Sequence, residues 1–255
     1  MYDVIIQARM GSKRLPGKCI MKYKNTSPLE VLVNRIKKIK NIKNIIIATT
    51  KLKKDKIFLK YSKKLKVKLF RGSNNNVLDR YYSAAKFYKS KNIIRLTSDC
   101  PFIDITTVAK MMKIYNSGKY DYISNTYPVP TTFPDGSDIE IFDFRSLEKN
   151  KHEAILPSDK EHVTKYFWQS KKFRCLRIEN KIDLSKYRYT IDIYEDFKLF
   201  RSIIKNYNNY LNINMIKIIN FINKNPGLIK YQKNLKRNFG WDAALKKDKL
   251  YLDKI

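Results

Sequence analysis

The sequence is poor in the residues that metal centres, disulfide frameworks and membrane spans require. It has only three cysteines, Cys19, Cys100 and Cys175, and two histidines, His152 and His162. Three widely spaced cysteines do not make a disulfide framework, and together with two histidines they do not supply a usual zinc site. No apolar run approaches the ~20 residues that span a bilayer, and no signal-peptide pattern opens the chain. We therefore expect a soluble, cytoplasmic protein without membrane insertion.

Acidic residues are also scarce, since 23 Asp and Glu stand against 54 Lys and Arg, and the formal net charge is +31. A nucleic-acid-binding protein carries such a charge, and a protein with small anionic substrates is a second possibility. The lysines recur from Lys13 to Lys254, and the sequence has no zinc-finger spacing, RNP-type strand or basic zipper. A lysine-biased composition explains this spread best, so we expect no specific nucleic-acid partner.

Strand-like and helix-like segments alternate through the first 115 residues. The predicted strands are Tyr2–Gln7, Ile42–Thr50, Val67–Arg71 and Asn92–Thr97, and the predicted helices are Pro28–Lys40, a lysine-rich segment ending near Leu65, Val77–Tyr88 and Thr106–Tyr115. This order predicts an α/β fold with a mixed, mostly parallel sheet flanked by helices.

The pattern is less regular after residue 120. Further strands are predicted at Asp138–Phe142, Phe173–Glu179 and Tyr187–Ile193, and further helices at Ser158–Gln169, Glu195–Tyr207 and Met215–Ile222. We predict one α/β domain over residues 1–228 with an inserted, β-containing region at about 120–182. A basic C-terminal tail, 229–255, follows it.

The loop after the first predicted strand has a composition suited to phosphate. Residues 7–18 read Gln-Ala-Arg-Met-Gly-Ser-Lys-Arg-Leu-Pro-Gly-Lys. Glycines let backbone N–H groups approach phosphate oxygens, and Arg9, Lys13, Arg14 and Lys18 concentrate positive charge there. The spacing matches neither a Walker A loop nor the dinucleotide fingerprint. A basic surface turn therefore remains the alternative.

Two carboxylates at strand ends are candidates for holding Mg²⁺. Asp99 follows the strand that ends at Thr97, and ligands of open α/β sheets bind outside the carboxyl ends of the strands. Mg²⁺ takes one or two protein carboxylates, so Asp99 needs a partner, for which Asp192 is the candidate. Asp196 suits the first turn of a helix. Cys100 has no paired base and is interpreted as a packing residue.

Six segments in chain order carry a resemblance to a known family. They are residues 6–18, Arg71-Gly72-Ser73 with 77–81, 95–101, 133–142, 161–164 and 188–196. Together they resemble the CMP-sugar synthetases, which are the acylneuraminate and 3-deoxy-manno-octulosonate cytidylyltransferases, and in particular the branch of the spore coat polysaccharide biosynthesis protein SpsF. The resemblance covers roughly residues 1–225.

The resemblance implies a Rossmann-like (GT-A-like) nucleotidyltransferase fold and a reaction in which CTP and a sugar acid give a CMP-sugar and pyrophosphate. It also implies a Mg²⁺ cofactor, a homodimer built through the inserted region, and a role in surface polysaccharide biosynthesis. Carried over by position, it places Arg9, Gly11, Ser12, Arg14 and Lys18 at the triphosphate, Ala8 and Arg71 near the cytidine, and Asp99 and Asp192 on the metal. Arg9, Lys18 and Asp99 are the expected catalytic residues, and Asp99 also contacts the nucleotide.

The acceptor side is less defined by the resemblance. Asp135, Asp138 and Glu140 would face the sugar acid or the dimer partner, and His162 would contact substrate, with capping or packing as its alternative. Two other functions stay open. One keeps the fold but uses another nucleotide or a non-sugar acceptor, and the other is a non-catalytic module that binds polyanions.

Overall fold

The computed structural model describes residues 1–235, 237 and 239–253. Lys236, Asn238, Lys254 and Ile255, which belong to the tail predicted over 229–255, lie outside the described residues. Within the described residues, seven strands form one sheet. They are β1 (Tyr2–Gln7), β2 (Ile42–Thr50), β3 (Lys68–Gly72), β4 (Asn92–Thr97), β5 (Tyr122–Ser124), β6 (Glu140–Asp143) and β7 (Cys175–Arg177).

The sheet has the strand order β3-β2-β1-β4-β6-β5-β7. β1 pairs in parallel with β2 and β4, β2 with β3, and β5 with β7, whereas β6 is antiparallel to both neighbours. The predicted mixed, mostly parallel α/β sheet is confirmed. Because β1, β2, β3 and β4 run in parallel, the loops that follow them meet at the same edge of the sheet.

Ten α-helices in the described residues surround this sheet. They are α1 (Pro28–Ile36), α2 (Ile57–Leu65), α3 (Val77–Phe87), α4 (Ile105–Tyr115), α5 (Phe144–Glu153), α6 (Pro157–His162), α7 (Lys165–Gln169), α8 (Tyr194–Asn206), α9 (Met215–Lys224) and α10 (Phe239–Leu252). None of the described helices is both long and apolar enough to cross a membrane.

The central strands are buried on both faces. In β1, Val4 and Ile6 join one apolar cluster with α1 and α4, while Ile5 joins another with α3 and β6. A third cluster unites α8 and α9 with Phe102, which follows β4. Continuous β-branched runs are typical of parallel strands that are covered by helices on both sides, so the predicted bounds of β1, β2 and β4 agree with the structure.

Two predicted elements differ from the structure. Residues 187–193 form no strand; a single bridge joins Arg188 to Asp135. The segment is extended, but its partners are loops rather than strands. The predicted helix Ser158–Gln169 is two short helices, α6 and α7, because Val163 has a φ of 69° and cannot continue α6.

The chain beyond residue 225 returns to the body of the protein. A 3₁₀ segment, Pro226–Asn234, is followed by α10, which contacts α6. Asp248 of α10 accepts a hydrogen bond from the backbone N–H of Ser158 (2.8 Å) and contacts the buried ammonium of Lys165 (3.0 Å). The hydrogen bond ties α10 to the start of α6, and the buried ion pair ties it to α7.

Candidate active site

The basic loop, Ala8–Lys18, leaves the carboxyl end of β1 and closes on itself. The N–H of Gly17 donates to the carbonyl of Met10 (3.1 Å), and the N–H of Leu15 donates to Ser12 Oγ (3.3 Å). Gly17 has a φ of 69°, and a Cβ there would lie 3.0 Å from the Met10 side chain. The left-handed conformation therefore favours glycine at this position, and the Met10 side chain would have to shift to admit a larger residue. The turn delivers Lys18 to the start of a short 3₁₀ helix, Lys18–Ile20.

Asp55 holds the basic loop from outside and was missed by sequence reasoning. Its carboxylate accepts from the backbone N–H of Met10 (2.7 Å) and from the hydroxyl of Thr50. The preceding residue, Lys54, packs against the same loop, because a Cβ placed on Gly11 would lie 3.1 Å from Nζ of Lys54. The available signal was that Asp55 is the one acid in a lysine-rich segment, 51–56. Its side chain is buried, as a structural anchor requires.

Lys18, Asp99 and Asp192 meet beside the basic loop. Lys18 Nζ lies 2.6 Å from Asp99 Oδ2 and 2.8 Å from Asp192 Oδ1. Arg14 contacts the same Asp192 oxygen at 2.9 Å. Asp192 reaches Asp99 because the N–H of Ile191 donates to the carbonyl oxygen of Asp99 (2.8 Å). The structure thus brings together two predicted cations and both predicted metal carboxylates.

The charged groups at this centre stabilise one another in their ionised forms. Burial opposes the charged form of Lys18, but Asp99 and Asp192 outweigh it and hold the pKa of Lys18 above its ordinary range. Burial likewise would raise the pKa of Asp192, but Lys18 and Arg188 outweigh it and hold that pKa well below its ordinary range. Lys18 and Asp192 are therefore both ionised near neutral pH.

Arg188 connects this centre to further acids, and we call Arg188 with Asp135, Asp192 and Asp196 the Arg188 network. The guanidinium contacts Asp192 at 2.8 Å, Asp196 at 3.2 Å and also Asp135. Asp196 is fully buried and accepts from the N–H of Ile193 at the start of α8, which is the structural helix-terminal role expected for it. Burial raises the pKa of Asp135, against the opposing charge of Arg188.

Asp135 and Asp138 lie on one turn before β6. Gly136 between them has a φ of 108°, and a Cβ there would meet the backbone N of Thr190 at 2.4 Å. The turn can therefore lie directly against the segment that carries Arg188 and Asp192. Asp138 accepts a hydrogen bond from the Thr126 hydroxyl (2.9 Å) and lies 3.5 Å from Nη2 of Arg237.

The other predicted site residues have separate positions. Glu140 is buried in β6, where its carboxylate contacts Arg95 and accepts from the hydroxyls of Tyr122 (2.6 Å) and Thr164. His162 ends α6, and burial lowers its pKa to about 4. The structure does not place Glu140 or His162 among the Lys18 contacts described above.

The remaining residues predicted to bind the nucleotide lie at the ends of β1 and β3. Ala8 is buried and its N–H donates to the carbonyl of Ala48 (3.2 Å), whereas Arg9 is exposed. Arg71, in β3, donates to the carbonyls of Thr50 (3.2 Å) and Lys51 (2.8 Å). It therefore holds the loop that carries Lys54 and Asp55.

The chemistry of the carboxylates suits a single small divalent cation. Asp99 and Asp192 contact one and the same ammonium nitrogen, so they are close enough to share an ion. Mg²⁺ commonly takes one or two protein carboxylates and completes its shell with water and phosphate oxygens. In the part of the chain that the structure describes, no group of three or more His, Cys, Asp or Glu residues could hold a metal ion.

Comparisons with known proteins agree on one family. The family model described as cytidylyltransferase matches residues 4–238. A cytidylyltransferase structure from Leptospira borgpetersenii is 36% identical, with a TM-score of 0.84, and the match covers 93% of this chain and 99% of that one. The spore coat polysaccharide biosynthesis protein SpsF of Bacillus subtilis is 30% identical over 89% of this chain and 96% of that protein.

A more distant structure shows how general the fold is. It is the structure of a CMP:2-keto-3-deoxy-manno-octonic acid synthetase in complex with CTP. Its TM-score is 0.61 and its sequence identity is 14%. The match covers 80% of this chain and 99% of that chain. At this identity the likeness establishes the nucleotidyltransferase-like α/β fold and nothing finer.

Proposed function

The chain belongs to the cytidylyltransferase family and is a nucleotidyltransferase, and from this premise we propose that it transfers CMP from CTP to an acidic sugar with release of pyrophosphate. One observation carries the proposal. Lys18, from the basic loop, touches both Asp99 and Asp192 at the carboxyl ends of the parallel strands. Cations for a triphosphate and paired carboxylates for a divalent ion are the two components that such a reaction needs.

The acceptor oxygen attacks the α-phosphorus, and pyrophosphate leaves from the opposite side. Negative charge grows on the leaving group, and fixed cations lower the barrier by stabilising that charge. In this proposal Lys18, Arg14 and Arg9 face the triphosphate, with Ser12 and the backbone at Gly11. Ala8 and Arg71 line the cytidine end.

We propose Asp99 and Asp192 as the residues that hold Mg²⁺. When bound, the ion would neutralise charge on the phosphate oxygens. In the structure Lys18 neutralises both carboxylates. In the proposed complex with CTP, the Lys18 ammonium contacts the phosphates instead. Positioning and charge neutralisation supply most of the catalysis of such transfers.

The acceptor is expected on the side of Asp135 and Asp138. A nonulosonate or 3-deoxy sugar acid is the proposed class, because SpsF, a polysaccharide biosynthesis protein, is among the relatives and the chain resembles the sugar-acid cytidylyltransferases. Such a reaction would supply an activated precursor of a surface polysaccharide in the cytoplasm. His162, at the end of α6, is proposed to contact the acceptor, whereas the Glu140 carboxylate is enclosed by Arg95, Tyr122 and Thr164.

A homodimer through residues 120–182 is a further part of the proposal. Val129, Ile155 and Ile182 in or near this region are half or more exposed, at 50%, 54% and 70%. Burial of such side chains between copies is favourable. Light scattering tests this directly: a monomeric mass at micromolar concentration would contradict the dimer and leave the reaction unaffected.

The reaction is tested by pyrophosphate release with CTP, UTP, GTP or ATP and Mg²⁺, using 3-deoxy-manno-octulosonate and N-acylneuraminate as acceptors and neutral sugars as controls. We expect turnover with CTP and an acidic sugar only. Thermal stabilisation gives an independent measure, since a ligand at about 100 times its Kd adds roughly 2.7 kcal/mol.

Each failure of that assay has a distinct meaning. Turnover with another nucleotide or a neutral acceptor would keep the enzyme class and overturn the substrate assignment. Equal, small stabilisation by all four nucleotides without turnover would favour the polyanion-binding module, since a chain with a net charge of +31 attracts any polyphosphate.

A further inference from the structure

Asp138 is fixed in place but keeps access to solvent. The Thr126 hydroxyl donates to its Oδ1 at 2.9 Å, and the side chain is 26% exposed. The turn beneath it is held by the Ser137 hydroxyl, which donates to the carbonyl of Pro134 at 2.7 Å. A carboxylate in this setting has a defined direction and a free face, in contrast to Glu140, whose carboxylate is enclosed by Arg95, Tyr122 and Thr164.

Asp138 also lies close to the proposed reaction centre. The turn that carries Asp138 packs on Thr190, since a Cβ on Gly136 would lie 2.4 Å from the Thr190 backbone N, and the Thr190 hydroxyl donates to the carbonyl oxygen of Asp99 at 3.2 Å. On the other side, Asp135 faces Asp138 and contacts Arg188, which contacts Asp192. The turn that carries Asp138 therefore lies beside the segments that carry Asp99 and Asp192, and the described interactions of Asp138 include neither carboxylate.

The surroundings of Asp138 tune its affinity for a proton. The titratable and charged groups that face it are Asp135 on its own turn, Glu140 in β6, Cys100 after β4, Tyr189 in the segment before α8, and Arg237 in the C-terminal segment. Burial, and next the charge of Asp135, raise the pKa of Asp138 to about 7, and Arg237 opposes the rise. A group that titrates near neutral pH is suited to proton transfer at that pH.

Arg237 reaches Asp138 because the C-terminal segment runs past the site. Tyr231 donates its hydroxyl to Asp196 (2.7 Å), and Gln232 donates its amide to the carbonyl of Arg188 (3.0 Å). Arg237 then donates to the carbonyl of Phe133 (2.7 Å) while its other nitrogen faces Asp138. The segment therefore adds a cation that neither the basic loop nor the sheet provides.

We propose that Asp138 is the base that accepts the proton of the acceptor hydroxyl, and that Arg237 is a positioning residue that sets the orientation and charge state of Asp138. This proposal rests on the proposed function. In the step, the hydroxyl oxygen bonds to the α-phosphorus of CTP. The bond from that phosphorus to the oxygen bridging to the β-phosphate breaks, and its electron pair leaves with pyrophosphate. The hydroxyl proton passes to the Asp138 carboxylate and then to water.

The first test is the pH dependence of kcat for the wild-type protein and Asp138→Asn, with CTP, Mg²⁺ and 3-deoxy-manno-octulosonate or N-acylneuraminate. We expect the wild-type rate to fall as the pH drops below about 7. Asp138→Asn should lower kcat by about 10²–10⁴-fold and lose this acid limb, because general-base catalysis contributes that much. CTP-induced thermal stabilisation should be retained, which shows that the variant is folded and binds nucleotide.

The second test removes the charge of Arg237. Its positive charge favours the carboxylate, so Arg237→Gln should move the acid limb to higher pH, and Arg237→Lys should return it toward the wild-type position. Arg174→Gln is the control, because it removes a cation from an exposed pair with Asp121 and should leave the profile unchanged. A purely structural role of Arg237 would change kcat without moving the limb.

The outcomes separate the two proposals. A wild-type protein that releases no pyrophosphate with any acidic sugar overturns the proposed function, and this inference with it. An active wild-type protein whose kcat and acid limb survive in Asp138→Asn overturns the base assignment alone. An acid limb that is unmoved in Arg237→Gln overturns the role of Arg237.

Discussion

The basic loop and the Arg188 network face each other across Lys18 and Asp192, yet they are assembled differently. The basic loop is a single run of residues, 8–18, closed by its own hydrogen bonds and anchored by Asp55. The Arg188 network draws Asp135, Arg188, Asp192 and Asp196 from segments up to about sixty residues apart and relies on ion pairs among buried side chains.

The difference lies in where the stability comes from. Backbone hydrogen bonds and a left-handed glycine fix the shape of the basic loop, so this shape does not depend on the charges of its cations, of which Arg9, Lys13 and Arg14 are exposed. In the Arg188 network the charged groups are themselves the structural contacts. Loss of one charge there leaves its partners buried and uncompensated. The basic loop should therefore respond to mutation through activity, and the Arg188 network through folding.

The largest effect is expected for Arg188→Met. The change leaves Asp135, Asp192 and Asp196 without their shared cation, and breaking a buried pair in this way costs about 3–5 kcal/mol. Urea unfolding measures the loss. Arg174→Met, in an exposed pair with Asp121, should cost no more than about 1 kcal/mol. Equal small losses in the two variants would mean that the network does not hold this side of the site.

The next effect concerns Lys18→Ala, which should act on the rate. Removal of one fixed donor to developing charge lowers kcat by about 10²–10³-fold, whereas binding of CTP should weaken less. Lys40→Ala, at an exposed position outside the basic loop, is the control and should leave kcat and CTP binding unchanged. The measurement is pyrophosphate release at saturating CTP. An intact kcat with a large loss of CTP binding would mean that Lys18 does not stabilise the transition state.

Gly136→Ala tests the contact between the Asp135 turn and the segment before α8. A Cβ would meet backbone atoms of Tyr189 and Thr190 at 2.8 and 2.4 Å, and the φ of 108° is itself unfavourable for alanine. We expect a loss of about 2–3 kcal/mol in unfolding free energy. Gly118→Ala, with a φ of 70° and no atom within 4 Å, should cost only about 1 kcal/mol. Similar losses would show that strain alone, and not this contact, accounts for the effect.

The smallest effect is expected for Asp55→Ala. The N–H of Met10 and the hydroxyl of Thr50 lose their acceptor, which costs about 1–2 kcal/mol and loosens the basic loop. The KM for CTP should rise several-fold. Asp55→Asn keeps an acceptor oxygen for Met10 and should recover most of the affinity. If Asp55→Ala leaves KM unchanged, the internal hydrogen bonds of the loop suffice to hold its shape.

The sequence predicts the first half of the fold well for a physical reason. β1, β2 and β4 are continuous apolar runs because helices cover both faces, and each run ends where the chain leaves the sheet. The composition of the basic loop and the strand-end position of Asp99 then indicate one edge of the sheet as the site. Asp192 followed from the need for a second carboxylate and from the family resemblance.

The second half of the fold is predicted less well from sequence patterns. The extended residues 187–193 carry strand-forming side chains, but their backbone partners are Asp135 and Asp99, which lie in loops. A pattern of β-branched and aromatic residues indicates an extended conformation and does not identify the partner. Arg188 lies in the segment 188–196 that carries the family resemblance, but nothing in the sequence assigned it a role. Arg237 gave no signal, because one arginine among 54 cationic residues is not distinctive until its acidic neighbours are known.

The reach of the C-terminal segment has a consequence for the order in which the protein is made. Ribosomes release a chain from its N-terminus, and early segments begin to fold while later ones are still being synthesised. Residues 1–97, with the basic loop and β1–β4, emerge well before Tyr231, Gln232 and Arg237, which close over Asp196, Arg188 and Asp138. A nascent chain therefore builds the surface proposed for the nucleotide first and completes the surface proposed for the acceptor only when these late residues arrive.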